Sequence, residues 1–177
     1  MLLKVLPLSD IASLGVGVFR HEEFTDQRGS LRLWFEGVSV SEKTDLSLKM
    51  SSSWPNVGRG LHWQGGNAAQ TKLITVLSGE IYDFLFDPNQ HEVLYAFRLS
   101  SDDRITLTIP PRFAHGFITL TRVDFMYCCV GRYDESREST FSLLPWAAQT
   151  LNLPEPQLSA KDQAIELGLG PARNNAR

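Results

Sequence analysis

The sequence has few of the residues that build metal centres and disulfide frameworks. Its two cysteines, Cys128 and Cys129, are adjacent in the chain. On a strand they would point to opposite faces and could not easily bridge each other, so we expect no disulfide framework, which suits a reducing cytoplasm. The four histidines include no H-x-H pair, an arrangement with which many β-barrel proteins bind a metal. We therefore expect no metal and no other cofactor.

Long apolar runs and an excess of basic charge are also missing. The formal net charge is -3, which argues against a general nucleic-acid binder. No stretch approaches the ~20 apolar residues of a membrane-spanning helix. Lys4, Pro7 and Asp10 interrupt the apolar N-terminal segment before it could act as a signal peptide. We expect a cytoplasmic protein that binds neither membranes nor nucleic acid.

Short β-like runs dominate what is present. Several alternate apolar and polar residues, and clusters of Gly, Pro, Asn and Asp separate them, as is typical of an all-β sandwich or closed barrel. Only two short helices are predicted, at Leu8–Leu14 and, beginning with a good N-cap residue, at Ser159–Leu167. We expect one domain at 1–170 and a flexible tail at 171–177. The predicted strands are Ser30–Phe35, Leu46–Ser51, Lys72–Leu77, Ile81–Phe86, Glu92–Leu99, Ile105–Ile109 and Val123–Val130.

Two of the four histidines lie in contexts that suggest chemistry. His91 lies in a polar turn and His21 in a charged loop, so both are interpreted as solvated. His62 follows Arg59 by three positions in GRGLHWQ, and a regular strand would point these side chains in opposite directions. The glycines of this segment would have to bend or bulge the chain for both to face one cavity. His115 lies where a Pro-Pro turn enters an apolar strand. Taken alone, each is more often a hydrogen-bonded structural residue than a catalyst.

A family resemblance combines these segments. FTDQRGSL, GRGLHWQ, QTKLITVLSGEIYDFLFD, IPPRFAHGF, DFMYC and LSAKD occur in this order, from about Phe24 to about Asp162. Together they resemble the dTDP-4-dehydrorhamnose 3,5-epimerase family. The resemblance implies an all-β, cupin-type jelly-roll barrel with a few short helices, mainly C-terminal. It also implies an epimerase that acts on a nucleotide-linked 4-keto-6-deoxy sugar, in deoxysugar and surface-polysaccharide biosynthesis such as that of lipopolysaccharide.

The resemblance implies a catalytic role for four residues. His62 matches the base that removes a proton beside the ketone, and Asp162 matches the carboxylate that orients its imidazole. Tyr127 matches the tyrosine that returns a proton from the opposite face of the sugar. Lys72 matches the lysine beside the developing enolate oxygen.

The resemblance also implies a substrate-binding set and a partner. Arg59, Arg28 and His115 match residues that line the sugar-nucleotide site, and Tyr133 matches an aromatic that stacks near the nucleotide base. In this family the segment that contains Arg28 crosses to the neighbouring subunit. We therefore expect a homodimer and a nucleotide-sugar substrate.

Three positions depart from the family pattern. The family has a Gln-x-Asn pair on the strand before R-G-L-H, where this chain has Ser47 and Lys49. An aromatic of the family is replaced by Leu31. Changes in hydrogen-bonding groups at a substrate site alter specificity by orders of magnitude. We therefore expect a related sugar nucleotide, or inversion at only C3 or only C5.

Simpler interpretations of the same residues remain open. Asp162 is also placed to stabilise the first turn of a helix after Ser159. Tyr127 also fits a core aromatic, and Lys72 a solvated strand lysine. Tyr133 and Arg28 also fit surface loops.

Two other functions remain open as well. One is a ketoisomerase of the same architecture, which would shift a ketone between C3 and C4. The other is a non-catalytic sugar-binding protein. Product analysis would separate them from an epimerase.

Overall fold

The structure, a computed structural model, describes residues 1–36 and 44–163. Two sheets of mainly antiparallel strands face each other, and a separate two-stranded hairpin lies beside them. The strands are β1 (Leu2–Val5), β2 (Gly17–Arg20), β3 (Glu22–Asp26), β4 (Gly29–Leu33), β5 (Leu46–Ser53), β6 (Gly58–Gln64), β7 (Thr71–Ser78), β8 (Glu80–Phe86), β9 (Val93–Ser100), β10 (Ile105–Ile109), β11 (Ala114–Thr119), β12 (Val123–Val130) and β13 (Glu138–Thr140). The α-helices are α1 (Leu144–Thr150) and α2 (Ala160–Gln163). Short 3₁₀ helices lie at Leu8–Leu14, Gly66–Ala68, Ser101–Asp103 and Glu135–Arg137.

The larger sheet has the order β1-β9-β8-β11-β6-β13, and the smaller has the order β2-β10-β7-β12-β5. Non-consecutive strands are neighbours in both, as in a jelly roll. The predicted all-β fold of this type is confirmed.

Alternating apolar residues close the space between the sheets. The main core cluster joins Ile74 and Phe125 of the smaller sheet to Phe97 and Phe117 of the larger one. A second cluster covers the outer face of the larger sheet, where Leu144 of α1 packs near Leu61 and Phe84. Because β6 lies in the larger sheet, which is packed on both faces, the side chains on its inner face hold fixed positions.

Each of the seven predicted strands corresponds to a strand of the structure, with small shifts at several ends. The first ends at Leu33 and not at Phe35. The 3₁₀ helix at Leu8–Leu14 agrees with the predicted turn. Of the predicted Ser159–Leu167 helix, the structure shows Ala160–Gln163, and the remainder and the 171–177 tail lie outside the described residues.

Several elements were not predicted. Strand β6 is broken up by glycines, β3 is strongly polar, and β13 has three residues. Helix α1 begins with Pro145 in its first turn, and Leu143 at its N-cap makes no side-chain capping bond. These segments lack the patterns on which a local prediction depends. Long-range pairing forms the strands, and packing on the larger sheet stabilises the helix.

Candidate active site

The segment that carries His62 is bulged. In the pairing of β11 with β6, His115 lies opposite His62 and Phe117 lies opposite Arg59, with a register shift between them. His115 and Phe117 are two residues apart and share a face of β11. Their partners are three residues apart, so the bulge turns Arg59 and His62 to one side. The bend expected from the sequence is confirmed.

Glycine makes this bulge possible. Gly60 has φ +101°, and a Cβ there would lie 2.7 Å from the carbonyl oxygen of His115. A side chain at this position would meet both a left-handed backbone and the neighbouring strand. The glycine of the R-G-L-H string is thus required by the conformation that orients His62.

A carboxylate holds the His62 ring. Oδ1 of Asp162 lies 2.7 Å from Nε2 of His62. Asp162 is buried in α2, and its backbone N–H donates to Oγ of Ser159 at 3.2 Å. Both interpretations of Asp162 therefore hold together, because the residue lies in a capped first turn and also binds His62. Burial raises its pKa, but the hydrogen bond and charge of His62 outweigh this effect, so the net pKa is lowered.

The opposite sheet presents two rows of side chains to this histidine. Tyr127 of β12 pairs with Lys49 of β5, and Cys129 pairs with Ser47. On the other side of β12, Cys129 pairs with Lys72 of β7. Because cross-strand partners share a face, the register alone brings Lys72, Ser47, Tyr127 and Lys49 to one surface.

Lys72 reaches across from one sheet to the other. Its Nζ donates to the backbone oxygen of His62 at 2.8 Å. Burial lowers the pKa of this lysine, and the charge of Lys49 lowers it further, while Cys129 and Glu138 act in the opposite sense. A solvated strand lysine is therefore the wrong interpretation of Lys72. Its ammonium is a desolvated donor held against the backbone of His62.

Tyr127 is half-buried on the same surface. Burial raises the pKa of its hydroxyl, and the charge of Arg59 partly offsets that rise. The hydroxyl is thus kept protonated at neutral pH, as a proton donor requires. Lys49 lies over its ring, with Nζ 5.8 Å from the centroid, and 5.4 Å from the centroid of Tyr133.

A cleft opens between these groups. Tyr133 closes one side of it, and its hydroxyl donates to Oε2 of Glu138 at 2.9 Å. The cleft is lined by Lys49, His62, Trp63, Gln64, Gln70, Lys72, Pro111, Phe113, Tyr127, Cys129, Tyr133 and Glu138. Five predicted site residues therefore line one cleft. A sixth, Asp162, lies behind the cleft and binds His62.

His115 occupies a buried position next to the cleft. Its Nε2 lies 2.8 Å from Oδ2 of Asp83, which is fully buried in β8, and its ring stacks on Phe125. Burial raises the pKa of Asp83, and the charge of His115 opposes that rise. In the structure, His115 is thus hydrogen-bonded to the buried Asp83. Its expected contact with a ligand stays a prediction.

Arg28 is not among the residues that line this cleft. It lies at the turn of the β3–β4 hairpin, is 84% exposed, and forms an ion pair with Asp26. Arg59 is also exposed, and its Nε donates to Oγ of Ser53 at 3.0 Å. Ser47 is half-buried beside Cys129. The roles expected of these residues stay predictions.

The other two histidines differ from each other. His91 is exposed, as predicted. The solvated interpretation of His21 is wrong, because its Nε2 lies 3.0 Å from Oγ1 of Thr106 and its ring packs edge-on against Trp34. Trp34 follows the hairpin in sequence, and this packing anchors the base of the hairpin to β10.

Sequence reasoning missed two carboxylates of this region. Asp83 lies within the apolar string IYDFLF, and an acidic residue inside such a run signals a buried partner. Glu138 carried no such signal, since ESRES offers two similar glutamates in a polar loop. Only the pairing of β13 with β6 distinguishes Glu138, by placing it opposite Gln64.

Comparison with known proteins decides the family. The model of the dTDP-4-dehydrorhamnose 3,5-epimerase family matches residues 11–167. The chain belongs to this family. The dTDP-4-dehydrorhamnose 3,5-epimerase of Salmonella typhimurium is 32% identical over 159 residues, which cover 81% of this chain and 85% of that protein. The expected isomerase class is confirmed, and the ketoisomerase and non-catalytic alternatives are not favoured.

Solved structures of epimerases have a fold similar to that of this chain. A Legionella pneumophila 3,5-epimerase, crystallised with dTDP-4-keto-L-rhamnose, has a TM-score of 0.69 at 27% identity, over 85% of this chain and 86% of its own. A 3'-monoepimerase from Streptomyces bikiniensis has a TM-score of 0.68 at 19% identity, over 85% of this chain and 82% of its own. The second likeness shows the shared fold.

Two properties of residues 1–36 and 44–163 bear on the remaining expectations. No three His, Cys, Asp or Glu side chains in these ranges are grouped so that they could hold a metal ion. In the same ranges, no helix has the length and apolar character needed to cross a membrane. The expectation that the protein works without a metal or cofactor stays a prediction.

Proposed function

We propose that this epimerase inverts a dTDP-linked 4-keto-6-deoxy sugar at C3, at C5 or at both, with His62 as the base. One observation carries the proposal. His62 of the larger sheet, bound by Asp162 of α2, lies across a cleft from Lys72 and Tyr127 of the smaller sheet. Epimerisation needs a proton removed from one face of a carbon and returned from the other, and two facing sheets can hold the two groups apart.

His62 begins the reaction in this proposal. The C–H bond beside the ketone breaks, the proton goes to the free ring nitrogen, and the bonding electrons move into the carbonyl to form an enolate. A neutral imidazole is suited to this step near neutral pH. Asp162 orients the ring and stabilises the imidazolium, as the carboxylate does in a catalytic triad.

Lys72 and Tyr127 complete the reaction. The Lys72 ammonium stabilises the enolate oxygen, and a preorganised donor at such a position lowers a barrier by roughly 3–4 kcal/mol. The Tyr127 hydroxyl then donates its proton to the carbon from the opposite face. Solvent reprotonates the tyrosinate and removes the proton from His62, so the cycle closes without a redox step.

The recognition residues support a modified specificity. Lys49 lies between the rings of Tyr127 and Tyr133. It is therefore between the part of the cleft proposed for the reacting sugar and the part proposed for the nucleotide base. We propose that Lys49 binds the diphosphate and that Ser47 leaves room beside Cys129 for an altered sugar. Arg59 and His115 would complete the pocket, and the substrate would be a close relative of the rhamnose precursor or would be inverted at one carbon only.

We further propose a homodimer in which the β3–β4 hairpin crosses to the partner. This hairpin pairs only with itself within the described residues, and a lone hairpin is marginally stable. It exposes Phe24 and Leu31, while the edge strand β5 exposes Leu48 and Met50. Docking would cover both apolar surfaces and bring Arg28 to the partner's cleft. Sedimentation equilibrium should give twice the monomer mass, and a monomer would contradict the exchange.

We also propose a cytoplasmic setting and a product used for surface polysaccharide. Cys128 and Cys129 are free and buried, which suits a reducing compartment. Relatives named for the rhamnose precursor support a place in deoxysugar biosynthesis.

Exchange in deuterated water tests the function. Candidate dTDP-4-keto-6-deoxy sugars are incubated with the protein, and C3 and C5 are followed by NMR. Deuterium at inverted carbons supports an epimerase, and the number of labelled carbons separates single from double inversion. Movement of the ketone from C4 to C3 would indicate a ketoisomerase. Binding without exchange would indicate a non-catalytic protein.

A further inference from the structure

Carboxylates lie near both nitrogens of the His62 ring. Asp162 binds Nε2 at 2.7 Å, and Oε1 of Glu138 lies 4.0 Å from Nδ1. Because Nε2 is occupied, Nδ1 is the nitrogen left to accept a proton. The second carboxylate is therefore close to the atom at which positive charge would appear.

Glu138 is held in this position from three sides. Strand β13 pairs with β6 and places Glu138 two residues from Thr140, the partner of His62. Its Oε2 accepts hydrogen bonds from the Tyr133 hydroxyl and from Nζ of Lys161. Both donors bind the same oxygen, which directs Oε1 to His62. The carboxylate is only 11% exposed, so solvent screens it weakly.

The charge of Glu138 is maintained at neutral pH. Burial raises its pKa, but the hydrogen bonds from Lys161 and Tyr133 and the charge of His62 outweigh burial, so the net pKa is lowered. The titratable groups that face it are His62 of β6, Lys72 of β7, Tyr127 of β12, Lys161 of α2 and Tyr133 of the preceding loop. An ionised carboxylate at this distance stabilises a positive imidazole more than a neutral one.

We propose that Glu138 is a second carboxylate of the His62 base, which stabilises the imidazolium formed at Nδ1 while Asp162 orients the ring from Nε2. The proposal rests on the function proposed above, and Glu138 acts through His62 as a positioning residue. Movement of about 1 Å would convert the 4.0 Å separation into a hydrogen bond. Lys161 weakens the stabilisation of the imidazolium by Glu138, because its cation binds Oε2 of the same carboxylate.

A purely structural role for Glu138 makes different predictions. Lys161 precedes Asp162 in α2, so the Glu138–Lys161 ion pair also anchors the helix that carries Asp162. If only that anchor matters, Glu138→Gln and Lys161→Met should shift the titration midpoint of His62 in the same direction. If electrostatic stabilisation matters, the two variants should shift this midpoint in opposite directions. Glu138→Gln removes an anion near the imidazolium, and Lys161→Met removes a cation that offsets that anion.

The test is an NMR titration of the His62 ring, together with the pH dependence of kcat/KM. We expect Glu138→Gln to move the titration midpoint and the acid limb to lower pH by about one pH unit. Lys161→Met should move both to higher pH. Glu135→Gln, which changes an exposed glutamate of the same loop, should move neither.

An unchanged midpoint in Glu138→Gln, or shifts of the same sign in both variants, would overturn this inference. Circular dichroism confirms that each variant is folded. Since the titration needs no turnover, a failure here is distinguishable from failure of the proposed function. A wild-type protein that exchanged no substrate proton would overturn both.

Discussion

Oδ1 of Asp162 lies 2.7 Å from Nε2 of His62, although the two residues are 100 positions apart. This contact joins a capped C-terminal turn to a bulged strand. It fixes which ring nitrogen is free to take a proton.

Replacing Asp162 by Asn should keep a polar group beside His62 and remove its charge. We expect kcat to fall by roughly 10²–10⁴-fold, because the imidazolium loses its stabilising anion. Asp10→Asn changes an exposed first-turn carboxylate and should leave kcat unaltered. Steady-state kinetics checks this, and similar kcat values for the two variants would contradict the orienting role.

The Asp162→Asn variant should also differ from the wild type in the pH dependence of its unfolding free energy. The folded-state pKa of Asp162 lies below its usual value, so its contribution is present above the unfolded-state pKa and is lost as pH falls through the folded-state pKa. The wild type should therefore exceed Asp162→Asn in unfolding free energy at neutral pH, and the difference should vanish in acid. Urea denaturation at several pH values measures this.

Replacing Tyr127 by Phe removes the proposed donor but leaves His62 in place. The base should still exchange the proton on its own face, so deuterium should enter with retention while inversion slows about 10²-fold. Tyr82→Phe, on the larger sheet, should behave as the wild type. Inversion at the normal rate in Tyr127→Phe would assign the donor elsewhere.

Replacing Lys72 by Met should separate catalysis from stability. We expect kcat to fall about 10²–10³-fold through loss of the enolate cation. Burial lowers the pKa of Lys72, so its charged form is costly in the folded state. Unfolding free energy should rise at neutral pH and approach the wild-type value as pH nears the usual lysine pKa.

The control for this change is Lys4→Met, an exposed lysine of β1, which should alter neither quantity. Undiminished kcat in Lys72→Met would remove Lys72 from the reaction.

Replacing Lys49 by Met tests the diphosphate contact. We expect KM for a dTDP-sugar to rise about tenfold and to depend less on salt, because a charge-assisted bond is lost. The effect on kcat should be smaller. The Lys4→Met protein again serves as the control, and an unchanged KM would place Lys49 outside the substrate site.

The family resemblance predicted most of the residues of this site, and local signals added to it at a few positions. Alternation placed Tyr127 on a strand, and the glycines around Arg59 indicated the bulge that turns it beside His62. What escaped prediction depends on pairing between distant segments. Glu138 resembles Glu135 in its sequence surroundings, and only its place opposite β6 makes it a neighbour of His62. The apolar surroundings of Asp83 signal a buried partner, but only the pairing of β8 with β11 identifies that partner as His115.

Deuterium exchange in a His62→Asn variant tests the central claim most directly. Asparagine preserves a polar side chain of moderate size but cannot act as a base near neutral pH. With a dTDP-4-keto-6-deoxy sugar in deuterated water, the wild type should label the carbons beside the ketone, and His62→Asn should label none above the rate without protein. Labelling at the wild-type rate in that variant would contradict the account.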